Sequence, residues 1–278
     1  MADSDSVSLI AGNGESVSLI AGNGEFPLMF VRAAHARGIA VHAVALHGET
    51  LPQIKKEADR VSFVEVAKLQ ALIDVLKSYP SKQVALAGGV RKLRFFRPVR
   101  PDARALAVAK RLLSKKDDTI LRAVAQELES EGLEVISSTG FLQEAMARAG
   151  QLSPRVPTEE ESRDMRFGFE LAKQIGAVDI GQTVVVKDQI PIAIEAIEGT
   201  DACLKRAGKM SKGGVVVKVV SPGQDLRCDL PAVGPRTIAV MRKVGLSALA
   251  LEAGQVLIID APAFFAAAAK AKISVVGV

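Results

Sequence analysis

Asp225, Arg227 and Asp229 stand within five positions of one another in the stretch from Gly223 to Gly234. Two carboxylates and a guanidinium this close could hold a hard cation, steady a water or bind a phosphoryl group. A strand-like run, Val215 to Val220, leads into them, and Pro222 and Gly223 stop that run by removing a ladder donor and relaxing φ. A charged turn just past a buried strand is a common place for chemistry. It also suits a local Asp–Arg surface pair, and taken alone the stretch favours that plainer reading. Two further acidic turns change the balance. Asp179 with Gln182, and Glu195 with Glu198 and Asp201, also lie at the ends of predicted strands. None of these turns carries a His, so oxygen ligation of Mg2+ or Mn2+ is the chemistry they suit, and magnesium usually accompanies a phosphate substrate. Singly, each turn reads as a helix cap or a salt bridge; the metal reading requires them to converge.

The elements that would position these residues form two groups. Ser16 to Glu25 predicts a short buried strand and a Gly22-Asn23-Gly24 turn, followed by a helix from Pro27 to Arg37 with Pro27 suited to its first turn. Strand, glycine turn and helix open a doubly wound α/β domain, and such a turn favours a phosphate. The turn lacks the full Gly-x-Gly-x-x-Gly pattern, and Glu25 sets a negative charge beside it. Strands follow at Ile39–Leu46, Val61–Val64, Gln83–Ala87 and Leu133–Ser137. Helices are expected at Ala67–Ser78, Arg104–Ser114, Thr119–Glu131 and Gly140–Ala149. Gly88-Gly89 ends the fourth strand, and Arg91, Lys92, Arg94 and Arg97 come next with Phe95 and Phe96 among them, a plausible phosphate cradle. Residues 1–150 thus read as a Rossmann-like domain built on a parallel sheet, and 151–158, with two prolines, as a linker.

Residues 159–278 read as an α+β domain. Thr158 and Glu161 form a capping box at the start of a helix reaching Ile175. Lys187-Asp188-Gln189 joins two β-rich runs into a hairpin. Thr200 or Asp201 would cap a helix from Ala202 to Lys209. Leu246–Leu251 and Gln255–Asp260 are expected to pair with each other, and a helix from Pro262 and a strand from Ile273 end the chain.

Composition narrows the function classes. The 278 residues are 49% hydrophobic, ample for two cores, and no apolar run reaches membrane-spanning length. The start, Met1-Ala2-Asp3, lacks a basic leader, so no signal peptide is expected. Two cysteines and three histidines give no zinc spacing and no disulfide framework, and a cytoplasmic setting follows. The net charge of +5 suits a polyanionic ligand or an anionic membrane surface. With no Trp and one Tyr, the chain lacks the aromatic-basic stripe of single-strand binders, so no nucleic acid is expected as partner. Ser6 to Glu15 is repeated unchanged as Ser16 to Glu25, which reads as a duplicated segment whose second copy carries the structural role.

Five stretches together resemble one family: Leu19 to Pro27, Asp179 to Val186, Ile194 to Asp201, Gly223 to Pro231 and Ile273 to Val278. It is the metal-dependent UDP-2,3-diacylglucosamine pyrophosphatase of lipid A biosynthesis, the type unrelated to calcineurin-like phosphoesterases. The match runs from Ser16 over nearly the whole chain. The resemblance implies hydrolysis to UMP and 2,3-diacylglucosamine 1-phosphate, with water attacking the sugar-side phosphorus. It implies Mg2+ as cofactor, with Mn2+ as a substitute, and two domains with the ligand between them. It also implies work at the cytoplasmic face of the inner membrane and leaves room for a homodimer. The essential aspartate of the family falls on Asp225, as metal ligand or base. Around it the combined reading places Arg227 and Gln182 as catalytic residues and Asp201 and Glu198 as further metal ligands. Gly22, Asn23, Gly24, Gly88, Gly89, Lys92, Asp179 and Thr200 are the substrate-binding candidates. Two other classes compete. The first domain alone would suit a nucleotide-binding oxidoreductase, with Glu49 nearest the place of a ribose-binding acid; a non-enzymatic nucleotide-sugar or lipid binding module is the other.

Overall fold

A computed structural model describes residues 16–90, 100–111 and 117–278. The first copy of the decapeptide and the basic cluster from Arg91 to Arg97, with Lys92, Phe95 and Phe96, lie outside the described residues. The chain is α/β and divides into two compact units. One holds the described residues up to Leu142 together with Asp225–Asp229; the other holds Gln143–Gln224 and Leu230–Val278.

The first unit runs β1 (Ser16–Ala21), α1 (Phe26–His35), β2 (Ala40–Leu46), a short α2 (Ile54–Glu57), β3 (Arg60–Val64), α3 (Leu69–Lys77), β4 (Gln83–Ala87), α4 (Ala103–Arg111), α5 (Asp117–Ser130) and β5 (Glu134–Ile136). Its sheet is wholly parallel in the order β3-β2-β1-β4-β5. Such a sheet needs cover on both faces, and its strands accordingly read as near-continuous apolar runs. Ile20, Val44, Leu86 and Val135 enter one core with Leu72, Leu76 and Leu128 of the helices. The order reverses direction between β1 and β4, so the crevice at their carboxyl ends is the switch point where open α/β sheets bind ligands.

The second unit continues with β6 (Gly150–Gln151), α6 (Glu159–Ala177), β7 (Thr183–Lys187), β8 (Ile190–Ile194), α7 (Thr200–Met210), β9 (Val215–Lys218), β10 (Ala232–Val233), α8 (Pro235–Val244), β11 (Ala248–Leu251), β12 (Leu257–Ile258), α9 (Ala261–Ala271) and β13 (Ser274–Gly277). Six strands form a mixed sheet, β6-β13-β11-β9-β7-β8, whose centre is parallel and whose edges are antiparallel. Alternate side chains feed two cores: Val185, Val216, Leu249 and Val275 on one face, and Val184, Val217 and Ala250 with Met165 and Ala172 of α6 on the other. Gly168 on α6 lets that helix close on Val217, where a methyl group would meet the valine side chain at 2.6 Å.

Several local expectations are met. Thr158 Oγ1 accepts from the Glu161 N–H at 3.2 Å while Glu161 Oε2 accepts from the Thr158 N–H at 2.9 Å, which is the capping box. The hairpin turns at Asp188 and Gln189, both at positive φ (53° and 58°). Neither is glycine, and buried Asp164 on α6 offsets the cost by accepting from both of their N–H groups, at 3.0 and 2.6 Å.

Others are corrected. Gly140–Ala149 is not a helix but two 3-10 turns, Ser138–Phe141 and Gln143–Ala145, followed by extended chain. Met146 bridges Leu257 and the Ala147 N–H donates to Val256 O, so tertiary pairing claims the groups a helix would need. Leu246–Leu251 and Gln255–Asp260 do not pair: β11 lies between β9 and β13, and β12 pairs β10. Residue 199 caps α7, and Thr200 and Asp201 already belong to the helix. Residues 151–158 carry part of β6 and buried Ser153, whose hydroxyl donates to Ile273 O at 3.2 Å and accepts from the Val275 N–H at 2.8 Å.

Asp164→Ala leaves two hairpin N–H groups without an acceptor. It is expected to cost about 1–3 kcal/mol, read as a lower urea midpoint at unchanged m-value.

Candidate functional site

The two glycine turns of the first unit meet at the switch point. The Gly22 N–H donates to Ala87 O and the Asn23 N–H to Gly89 O, both at 2.8 Å. The backbones approach so closely that a methyl on Gly22 would overlap the Gly88 carbonyl, and one on Gly88 would overlap Asn23 O. Gly24 and Gly88 also sit at φ +82° and +76°, where a Cβ is strained. Gly22, Asn23, Gly24, Gly88 and Gly89 therefore form one feature. Because the Gly22 and Asn23 N–H groups are spent on the opposite turn, an anion here would face Gly24 and the first turn of α1, whose cap residue Glu25 makes no side-chain cap bond. Asn23 Nδ2 donates to Glu49 Oε2 at 3.5 Å, so the acid after β2 is drawn to the same turn.

Asp225 and Arg227 also belong to the first unit. Asp225 Oδ1 accepts from the Arg227 N–H and Nε at 3.0 and 3.1 Å, and Oδ2 accepts from Nη2 at 2.8 Å. The same guanidinium donates from Nη1 to Glu129 Oε1 of α5 at 2.9 Å and to Val135 O of β5 at 3.3 Å. Cys228 packs on the core beneath. The Arg227 hydrogen bonds hold the Asp225 carboxyl below the usual carboxylate range against partial burial, and they raise the guanidinium further above its own. Asp225 is thus a fixed carboxylate at neutral pH.

Gln182, Asp179, Thr200, Asp201 and Glu198 lie in the second unit. Asp179 follows α6 at φ +57°. Thr200 Oγ1 donates to Glu195 Oε1 at 2.8 Å and accepts from Lys218 Nζ at 3.0 Å. Glu198 Oε1 accepts from Arg206 at 2.5 Å and Oε2 from the Ala196 N–H, and the Arg206 bond lowers its pKa. Asp201 Oδ2 accepts from Arg236 Nε at 2.6 Å. The three carboxylates proposed for a metal are therefore each met by a different arginine. Among the described residues, no three His, Cys, Asp or Glu side chains gather so as to hold an ion. Asp225 of the first unit, and Asp201 and Glu198 of the second, would each have to give up an arginine to ligate an ion. Lys92 is outside the described residues.

Two features escape the sequence. Lys218, 4% exposed at the end of β9, lies between Thr183 and Thr200. A lysine inside Val215–Val220 gives no sign of facing inward. Lys173 and Glu252 form the second: Lys173 Nζ bonds both Glu252 oxygens at 2.9 and 3.0 Å and Val220 O at 3.0 Å, while Glu252 Oε2 accepts from the Val220 N–H at 2.8 Å. Both backbone groups of the residue two before Pro222 are clamped by one ion pair.

Gly22→Ala is expected to destabilise the protein by about 2 kcal/mol or more and to weaken UMP binding. Chemical denaturation and titration calorimetry check the two effects.

The LpxI N-terminal domain model matches residues 16–145, and the LpxI C-terminal domain model matches residues 148–276. A curated relative from Caulobacter vibrioides, named UDP-2,3-diacylglucosamine pyrophosphatase LpxI, is 32% identical over 98% of this chain and 97% of its own. Similar solved structures include the biotin carboxylase domain of a thermophilic 2-oxoglutarate carboxylase bound to ADP. It is 14% identical, with 61% of this chain and 34% of that one covered at a TM-score of 0.23, a likeness that carries no argument. With both domain models in chain order and a full-length relative at this identity, the chain belongs to the LpxI family.

Proposed function

We propose that the chain hydrolyses the pyrophosphate of UDP-2,3-diacylglucosamine to UMP and 2,3-diacylglucosamine 1-phosphate, a step of lipid A biosynthesis. The observation that carries this reading is the full-length relative bearing that activity in its name. The geometry supports it in two ways. The paired glycine turns lie at the switch point of a parallel sheet, where a nucleotide phosphate finds the α1 N-terminus. Asp225 is held ionised and in place by Arg227, as a carboxylate that orients the attacking water by accepting its hydrogen bond requires.

In the reaction as proposed, water oxygen bonds the sugar-side phosphorus, and the bond from that phosphorus to the bridging oxygen breaks. The bridging oxygen leaves on UMP, and the water protons pass to solvent. Arg227 keeps the carboxylate in place and sets fixed positive charge beside it. The proposal of Mg2+, or Mn2+ in its stead, rests on the pyrophosphate itself, whose oxygens attract such an ion. Among the described residues no helix is long and apolar enough to cross a membrane. For an acylated substrate we propose peripheral contact with the cytoplasmic face of the inner membrane, which the net charge of +5 favours.

Asp225→Ala should retain substrate binding and lose turnover by about a hundredfold or more. Unchanged turnover removes Asp225 from the mechanism. EDTA should abolish activity and Mg2+ restore it; full activity in EDTA removes the metal. The pH profile gives a further check. Because the Asp225 pKa is lowered, the folded protein keeps this carboxylate ionised as pH falls through the ordinary range near about 4, while the stability linked to it is full above that range and is lost as pH falls from there through the lowered folded value. Arg227→Met should move the acid limb of kcat/KM upward.

A further inference from the structure

Lys218, Glu195, Thr183 and Thr200 form a polar centre inside the second unit that the reading above leaves without a task beyond Thr200. Lys218 is 4% exposed and Glu195 9%. Lys218 Nζ donates to Thr183 Oγ1 at 3.2 Å and Thr200 Oγ1 at 3.0 Å, and it lies 3.9 Å from Glu195 Oε2. Thr200 Oγ1 in turn donates to Glu195 Oε1 at 2.8 Å. The charges balance, one ammonium against one carboxylate, so the centre has no excess positive charge to draw a phosphate.

The hydrogen bonds do not balance. Glu195 Oε2 is buried and has no hydrogen-bond donor among the described residues, and the same holds for Gln182 Oε1. The two belong to adjoining backbone: the Glu195 N–H donates to Thr183 O at 2.9 Å, and a methyl on Gly181 would overlap Glu195 O. The carboxylate stands at the start of α7, through Thr200, where residue 199 provides no side-chain cap. A buried carboxylate oxygen without a donor is costly and calls for a partner. Exposed Val178, Ile180 and Ile197 flank these residues in the chain.

We infer that this centre is a specificity site for the neutral, hydrogen-bond-donating part of the ligand. Glu195 Oε2 and Gln182 Oε1 accept from hydroxyl or amide N–H groups of a sugar, and Lys218, bonded to Thr200 and 3.9 Å from Glu195 Oε2, holds Glu195 in place. The inference rests on the proposed function for the identity of the sugar, acylated glucosamine. Lys218 is a positioning residue, because it acts through Glu195 and Thr200.

The test measures binding of UDP-2,3-diacylglucosamine and of UDP by calorimetry in an Asp225→Asn background, which prevents turnover. Glu195→Gln places a donor or a weaker acceptor where the carboxylate oxygen stood. It should weaken the sugar nucleotide by about tenfold or more and leave UDP unchanged, because a site built to bond a hydroxyl discriminates strongly. A Lys218→Met/Glu195→Leu double variant removes both charges together and retains a packed core, and it should show the same selective loss. Equal weakening of both ligands, or none, in a folded variant overturns the inference. Failure of the Asp225→Asn protein itself to bind the sugar nucleotide would instead overturn the proposed function.

Discussion

The Arg227 guanidinium is the interaction on which the candidate chemistry depends. It bonds a carboxylate two residues away and, through Nη1, reaches Glu129 and Val135, 98 and 92 positions earlier in the chain. A planar cation with five donors can serve both sides at once, as a lysine could not. It is why five residues from late in the sequence belong to the first unit. The exposed pair with Glu129 is by itself worth little. The fork to Asp225, the bond to a strand carbonyl and the burial of Cys228 on the core act together to fix the turn.

The second unit treats its own part of this stretch differently. There the chain leaving β9 is held by one ion pair and a glutamine that reach backbone. Glu252 and Lys173 take the N–H and the carbonyl of Val220, and Gln224 Oε1 accepts from the Ser221 N–H at 3.1 Å. Half-buried as they are, Lys173 and Glu252 lose solvation on pairing, which offsets much of their attraction. What they give here is direction: a strand that ends in Pro222-Gly223 has no further ladder bonds to hold it, and side chains substitute for them.

Much of this protein is legible in its order of residues. The five parallel strands of the first unit, the glycine turns after β1 and β4, the capping box at Thr158 and the hairpin at Asp188-Gln189 all follow from local pattern. Each depends on periodicity, on a missing Cβ or on a side chain bonding its near neighbours. The failures share a cause as well. Gln143-Glu144-Ala145-Met146-Ala147 has helical propensity, yet Met146 and Ala147 pair with Leu257 and Val256, more than a hundred positions later. Two apolar runs near the C-terminus look like a hairpin, yet parallel partners from elsewhere in the chain claim them both.

The sequence by itself determined the family, the doubly wound first sheet and the acidic turns, because these depend on residue type and short spacing; the choice of Asp225 over Asp229 is what the family resemblance implies. Tertiary structure alone decided the rest. It joined the two glycine turns back to back, so that their N–H groups serve each other. It set an arginine against each of Asp225, Asp201 and Glu198. It turned Lys218 inward to Thr200 and Glu195. The physical reason is the same in each case: a side chain's charge is written in the sequence, but its burial and its partner depend on which distant backbone folds against it.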